Sequence, residues 1–185
     1  MLKSWRNLIL VIGLLFHGAA GAETEFYVRG AHTYLDEGVY WLDARIDYRF
    51  SDRSLEALDS GVALTVVLEI EVERQRAYLW DETVAEITQH YELTLHPLSG
   101  RYVVDNLNTG ISRTFGTLEE AALFLGRLRR FPLLDAKLAP PGDDYEVVMK
   151  ARLDIESLPA PLRPLAYLSS QWRLASDVFR CPLEE

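Results

Sequence analysis

Residues 40–50 read Tyr40-Trp41-Leu42-Asp43-Ala44-Arg45-Ile46-Asp47-Tyr48-Arg49-Phe50, and this stretch decides the fold. Every even position is apolar or aromatic, and four of the five odd positions between them are charged. Side chains alternate between two faces along a strand, whereas a helix would scatter both sets around its circumference. The stretch is therefore predicted to be a β-strand with one buried face and one wetted face.

The same alternation recurs outward in both directions. Leu64, Val66, Leu68, Ile70 and Val72 interleave with Thr65, Val67, Glu69, Glu71 and Glu73. Ile87, Tyr91, Leu93 and Leu95 interleave with Glu86, Thr88, His90, Glu92, Thr94 and His96. Tyr145, Val147, Met149, Ala151 and Leu153 do so with Glu146, Val148, Lys150, Arg152 and Asp154. Weaker alternation marks residues 26–35, 102–107 and 172–179. Strands that bury only one face belong to antiparallel sheets, not to a parallel sheet covered on both sides. Turn chemistry agrees. Asp36-Glu37-Gly38 and Pro97-Leu98-Ser99-Gly100 each separate two strands, and Asn108-Thr109-Gly110 precedes a short one at 111–115. The expected architecture is mainly β: an antiparallel β-sandwich of about seven to nine strands.

Two or three short peripheral helices interrupt the strands. Ser51 is placed to cap a helix over 52–59, with Gly61 just past its end. Thr117-Leu118-Glu119-Glu120 fits a capping box, from which a helix is predicted to run through Ala121, Ala122, Leu125 and Leu128. Arg127, Arg129 and Arg130 would then complement the negative end of its dipole, and Pro132 would stop it. A third helix is expected at 165–169, after Pro161 and Pro164.

The first 22 residues speak for a compartment. Lys3 and Arg6 precede an apolar run at 8–16, and Ala20-Gly21-Ala22 is a small-x-small cleavage site. That order reads as a secretory signal peptide over 1–22, cleaved after Ala22, which leaves a single domain over 23–185 in the periplasm or secreted medium. The competing reading is a retained membrane anchor, but the run spans only about half of a ~30 Å hydrocarbon core. No stable membrane span is expected after cleavage. Of 19 Lys and Arg, cleavage removes Lys3 and Arg6; against 28 Asp and Glu this leaves a net −11. Such a chain should be repelled by anionic lipid headgroups and lacks the basic balance a nucleic-acid binder needs. The single cysteine, Cys181, forms no internal disulfide or zinc cluster, so stability must come from an ordinary apolar core.

Motifs that announce an enzyme are missing: there is no G-x-S-x-G, P-loop, G-x-G-x-x-G, C-x-x-C or H-E-x-x-H. His90, Glu92 and His96 share one strand face, but their spacing along a strand is too long for one zinc ion without help from a neighbour. Glu69, Glu71 and Glu73, with Asp81 and Glu82, form an acidic run whose alternation suits a solvated face; Arg45 or Arg49 are candidate cross-strand partners. The aromatic group Trp41, Tyr78, Trp80 and Trp172 is the candidate interaction surface, because exposed indole beside charge suits stacking on sugars or filling a partner's pocket. For Trp41 two readings stay open: core beneath a helix over 119–130, or surface contact. No catalytic residue, metal ligand or cofactor site is predicted.

Several short stretches carry a family likeness: Gly38-Val39-Tyr40-Trp41-Leu42-Asp43-Ala44, Leu55-Glu56-Ala57-Leu58-Asp59-Ser60-Gly61-Val62 and Thr83-Val84-Ala85-Glu86. Arg101-Tyr102-Val103-Val104, Asn106-Leu107-Asn108-Thr109-Gly110 and Ser169-Ser170-Gln171-Trp172-Arg173-Leu174 extend it over nearly all of 23–185. In these the chain resembles the DUF4390 family of secreted proteobacterial proteins, whose function is unknown. The resemblance supplies no site residues. It implies an envelope role, since members are often encoded beside a nitrogen-regulation-type sensor kinase, which is association and not mechanism.

Three functions are expected in order. The first is a non-enzymatic module that binds an envelope protein, a sensor kinase's periplasmic region among the partners. The second is a binding module for a small apolar or glycan ligand. The third is a hydrolase, which would need His90, His96 or the acidic run to converge in a cleft.

Overall fold

The computed structural model describes residues 26–76 and 80–184. The expected leader over 1–22 lies outside the described residues. The described residues form nine strands: β1 (Tyr27–Asp36), β2 (Val39–Asp47), β3 (Leu64–Arg74), β4 (Glu82–His96), β5 (Arg101–Asn106), β6 (Ile111–Phe115), β7 (Arg127–Asp135), β8 (Tyr145–Leu153) and β9 (Phe179–Pro182). Three short helices join them: α1 (Asp52–Asp59), α2 (Leu118–Leu125) and α3 (Arg163–Leu168).

All ladders are antiparallel and form two sheets, β1-β2-β7 and β6-β5-β4-β3-β8-β9. One hydrophobic cluster joins them. It takes Tyr40, Leu42, Ala44 and Ile46 from β2, the even row Leu64 to Val72 from β3, and Val147, Met149, Ala151 and Leu153 from β8. The alternation that marked these strands is thus the inner face of a sandwich. β3 departs from strict alternation: Thr65 and Val67 are buried on the opposite face, where the register sets Val67 between His90 and Arg152.

The β1–β2 hairpin closes through Glu37 and Gly38 with φ of 50° and 78°, the two consecutive positive values of a two-residue hairpin turn. Ser51 Oγ accepts the Ser54 N–H and caps α1. Thr117 caps α2 by accepting the Glu120 N–H, while the Glu120 carboxylate reaches back to the Gly116 N–H at 3.0 Å. α2 lies on β5 and β6 and also touches β2 and β7, so it bridges the two sheets along one flank.

Three expectations are corrected. α2 ends at Leu125, and residues 127–135, Pro132 included, form β7 instead of its last turns. The reason is Gly126. Its carbonyl accepts the Ile46 N–H at 2.7 Å, and a Cβ there would stand 1.9 Å from the Ile46 carbonyl oxygen, so the backbone is pressed onto β2. The chain then pairs with β2 through two irregularities of register, with Pro132 tolerated because β7 is an edge strand. Arg127, Arg129 and Arg130 therefore stand on a sheet and not at a helix end. Second, residues 172–179 make no continuous strand: Trp172 closes a 3₁₀ turn and only β9 and one Arg152–Ala175 bridge remain. Third, Arg45 and Arg49 belong with the small sheet's chain segment. Glu69 pairs instead with Arg152 at 2.9 Å, because β8 flanks β3, and Glu73 with Arg180 at 2.7 Å, which reaches across β8 from β9.

Candidate functional site

The three aromatic candidates among the described residues, Trp41, Trp80 and Trp172, do not form one surface. Tyr78 lies outside the described residues. Trp80 is 93% exposed between β3 and β4. Trp41 is half-buried on β2; its Nε1–H donates to the Asp36 carbonyl at 3.2 Å, and the Arg130 guanidinium covers its ring at 4.7 Å. An arginine, not a helix, is therefore what lies over it, a cation–π contact that also orients the side chain. Trp172 is buried, at 7% exposure, and belongs to the core cluster.

Trp172 nevertheless marks an apolar concavity. Ser51 Oγ donates to the Gln171 carbonyl at 2.6 Å, which ties the start of α1 to the turn that carries Trp172. Pro164 in the first turn sets α3, since its fixed φ suits that position and its missing N–H is not needed there. Ala166 packs inward, so the rest of this short helix faces out: Leu165 is 64% exposed, Tyr167 51% and Leu168 85%. Between α1 and α3 lies a groove of about 550 Å³, lined by Ala57, Val62, Leu162, Leu165, Leu168 and Trp172, with Arg53, Glu56 and Ser60 at its rim. Arg53 and Glu56 neutralise one another at 2.8 Å, so the rim carries little net field. Leu162, Leu165 and Leu168 recur at helical spacing, the signal through which sequence alone could have found this face. Singling out indoles missed it.

The titratable candidates are held apart or already paired. His90, Glu92 and His96 all lie on β4, and among the described residues no group of three His, Cys, Asp or Glu could hold a metal ion. Glu82 is gripped by Arg74 and Arg76, and hydrogen bonds from both guanidinia hold its carboxyl below the usual range. Glu71 lies between two paired neighbours and opposite Glu86; burial first, then Glu73, Glu86 and Glu69, push its carboxyl above the usual range. Cys181 is buried, and its thiol is pushed up to about 11 by desolvation and by Glu184 and Glu146. At neutral pH it is a thiol and a poor nucleophile.

A family described as a domain of unknown function, DUF4390, matches residues 23–182. No curated protein and no solved structure matches the chain.

Proposed function

We propose that this chain, which belongs to the DUF4390 family of domains of unknown function, acts outside the cytoplasm as a non-enzymatic module that binds another envelope protein. The observation that carries the reading is the apolar face of α3. Leu165, Tyr167 and Leu168 stand in solvent beside a groove with an apolar floor, and a monomer gains nothing by exposing them together. The face is short and convex on α3 and concave towards α1. It suits an amphipathic helix of the partner, whose apolar stripe would lie against Leu165 and Leu168 and fill the groove above Trp172. The ion pair at the rim would set register more than affinity. The signal-like residues 1–22 support the compartment, and the family's tendency to neighbour sensor kinases makes a kinase's extracytoplasmic region the first partner to try.

A second reading is favoured by the groove's size. About 550 Å³ is within the range of small-molecule sites, so a small apolar ligand would fit the same place. One experiment separates the two. The Leu165→Glu/Leu168→Glu variant changes only exposed positions and should stay within about 0.5 kcal/mol of the wild-type stability. In detergent-free envelope extract the wild type should elute as part of a larger assembly, and the variant at the size of the isolated chain. A wild type that elutes alone, or a variant that stays in the assembly, refutes the protein-binding reading. A fluorescent apolar probe that binds the isolated wild type and not the variant would move the assignment to the small ligand.

A further inference from the structure

The outer face of the small sheet runs against the charge of the rest of the chain. Three arginines, Arg45 on β2 with Arg127 and Arg129 on β7, line one hollow of about 500 Å³, and none of them has an ion-pair partner among the described residues. Arg45 and Arg127 stand directly opposite each other in the ladder. Like charges at that position repel and destabilise a sheet. Asp43 and Asp47 flank Arg45 on the same face of β2, yet Asp47 is engaged by Arg29 and neither carboxylate forms an ion pair with Arg45 or Arg127 among the described residues. Gly30, opposite Arg45 on β1, brings no side chain at all, and a Cβ added there would meet nothing within 4 Å. The row Gly30–Arg45–Arg127 is thus open at one end and cationic at the other.

The other charges around the hollow are accounted for. Arg29 is neutralised by Asp47 at 2.7 Å and its guanidinium lies over Tyr27. His32 faces Glu184 at 3.4 Å. Asp43 sits in the floor, and its Oδ1 accepts the Arg130 N–H at 2.6 Å. Three free guanidinium groups against one carboxylate leave two uncompensated positive charges.

We propose that this hollow binds a dianionic phosphate group, free or carried by a larger molecule. A single carboxylate brings one negative charge, whereas a phosphate monoester brings nearly two at one centre together with acceptor oxygens that match guanidinium forks. The hollow has room beyond the phosphate for the group that bears it. Binding removes the Arg45–Arg127 repulsion, so ligand and fold stabilise each other. The chain's overall negative charge does not oppose this strongly, since at physiological salt fields decay within about 8 Å.

The test uses the chain purified in the form the cell accumulates. Inorganic pyrophosphate is titrated by calorimetry in 50 mM and 300 mM salt. Phosphatidylcholine vesicles with and without phosphatidic acid are sedimented with the same protein. The wild type should bind one pyrophosphate saturably, more weakly at the higher salt. Arg45→Gln/Arg127→Gln should weaken binding at least about tenfold while melting no lower than the wild type. Arg53→Gln, on α1, should bind like the wild type. Retention on phosphatidic acid vesicles that the double variant loses makes a lipid headgroup a source of the phosphate; binding of pyrophosphate alone makes it a soluble one. No saturable binding of either probe, or binding that the double variant keeps, overturns the proposal.

Discussion

A glycine with no room for a methyl group settles where one element ends and the next begins. At Gly126 the space for a Cβ is occupied by the Ile46 carbonyl, 1.9 Å away, while the Gly126 carbonyl accepts the Ile46 N–H. Gly126→Ala must push β7 off β2 or break that bond, and is expected to cost about 3 kcal/mol or more, since backbone yields less readily than side chains. Gly30→Ala is the control. It meets no atom within 4 Å and should change stability by less than about 1 kcal/mol. Urea denaturation of both variants checks this, and equal losses would show that Gly126 does not set the boundary. Nothing local announces the role. Ala121, Ala122, Leu125 and Leu128 keep helical spacing straight through Gly126, so the sequence reads as one helix until the neighbour in space is known. Trp172 misleads in the same way: an indole looks like a contact residue, and its burial depends on α1 and α3 packing against the turn that carries it.

At the scale of elements, β3 carries the sharpest electrostatic consequence. Its row Glu69, Glu71, Glu73 alternates paired, unpaired, paired, and the register puts Glu86 opposite Glu71. Burial and three like charges raise the Glu71 carboxyl, with Arg180 opposing them only in part. The folded chain then holds that proton more tightly than the unfolded chain does. The penalty is absent below the unfolded carboxylate range, grows as pH rises through the folded value, and is complete at neutral pH. Glu71→Gln should therefore raise stability at pH 7.5 by about 0.2–1 kcal/mol, with the gain shrinking towards pH 4. Thermal melts of both proteins at the two pH values check this; a gain that grows on acidification would contradict the assignment. The strands themselves were legible because β2, β3 and β8 each bury one row, and the hairpin turns because Gly38, Gly100 and Gly110 all adopt positive φ. What pairs with Glu69 and Glu73 was not legible. Alternation tells which face is wet but not which strand lies alongside: Arg152 comes from the neighbouring β8 and Arg180 from β9 one strand further, both distant in sequence.

Taken whole, the described residues present two unlike surfaces, the apolar face of α3 and the arginine hollow on the small sheet. The two sheets share one apolar cluster, and α2 covers a flank where they part, so the fold satisfies itself without either surface. The sequence made the sandwich readable through its period of two, and left both surfaces obscure for physical reasons. A signal of three leucines is too short to stand out on a six-residue helix, and Arg127-Leu128-Arg129 reads as a surface pattern in either conformation. The claim on which the functional account depends is that α3 meets a partner in the cell. Site-specific photocrosslinking in living cells tests it most directly, with the reactive group placed at Leu168 and, as control, at Leu98, which is 98% exposed in a turn elsewhere. The account predicts one discrete adduct to an envelope protein from position 168, abolished by Leu165→Glu and absent from position 98. No adduct from position 168, or the same adducts from both positions, would contradict it.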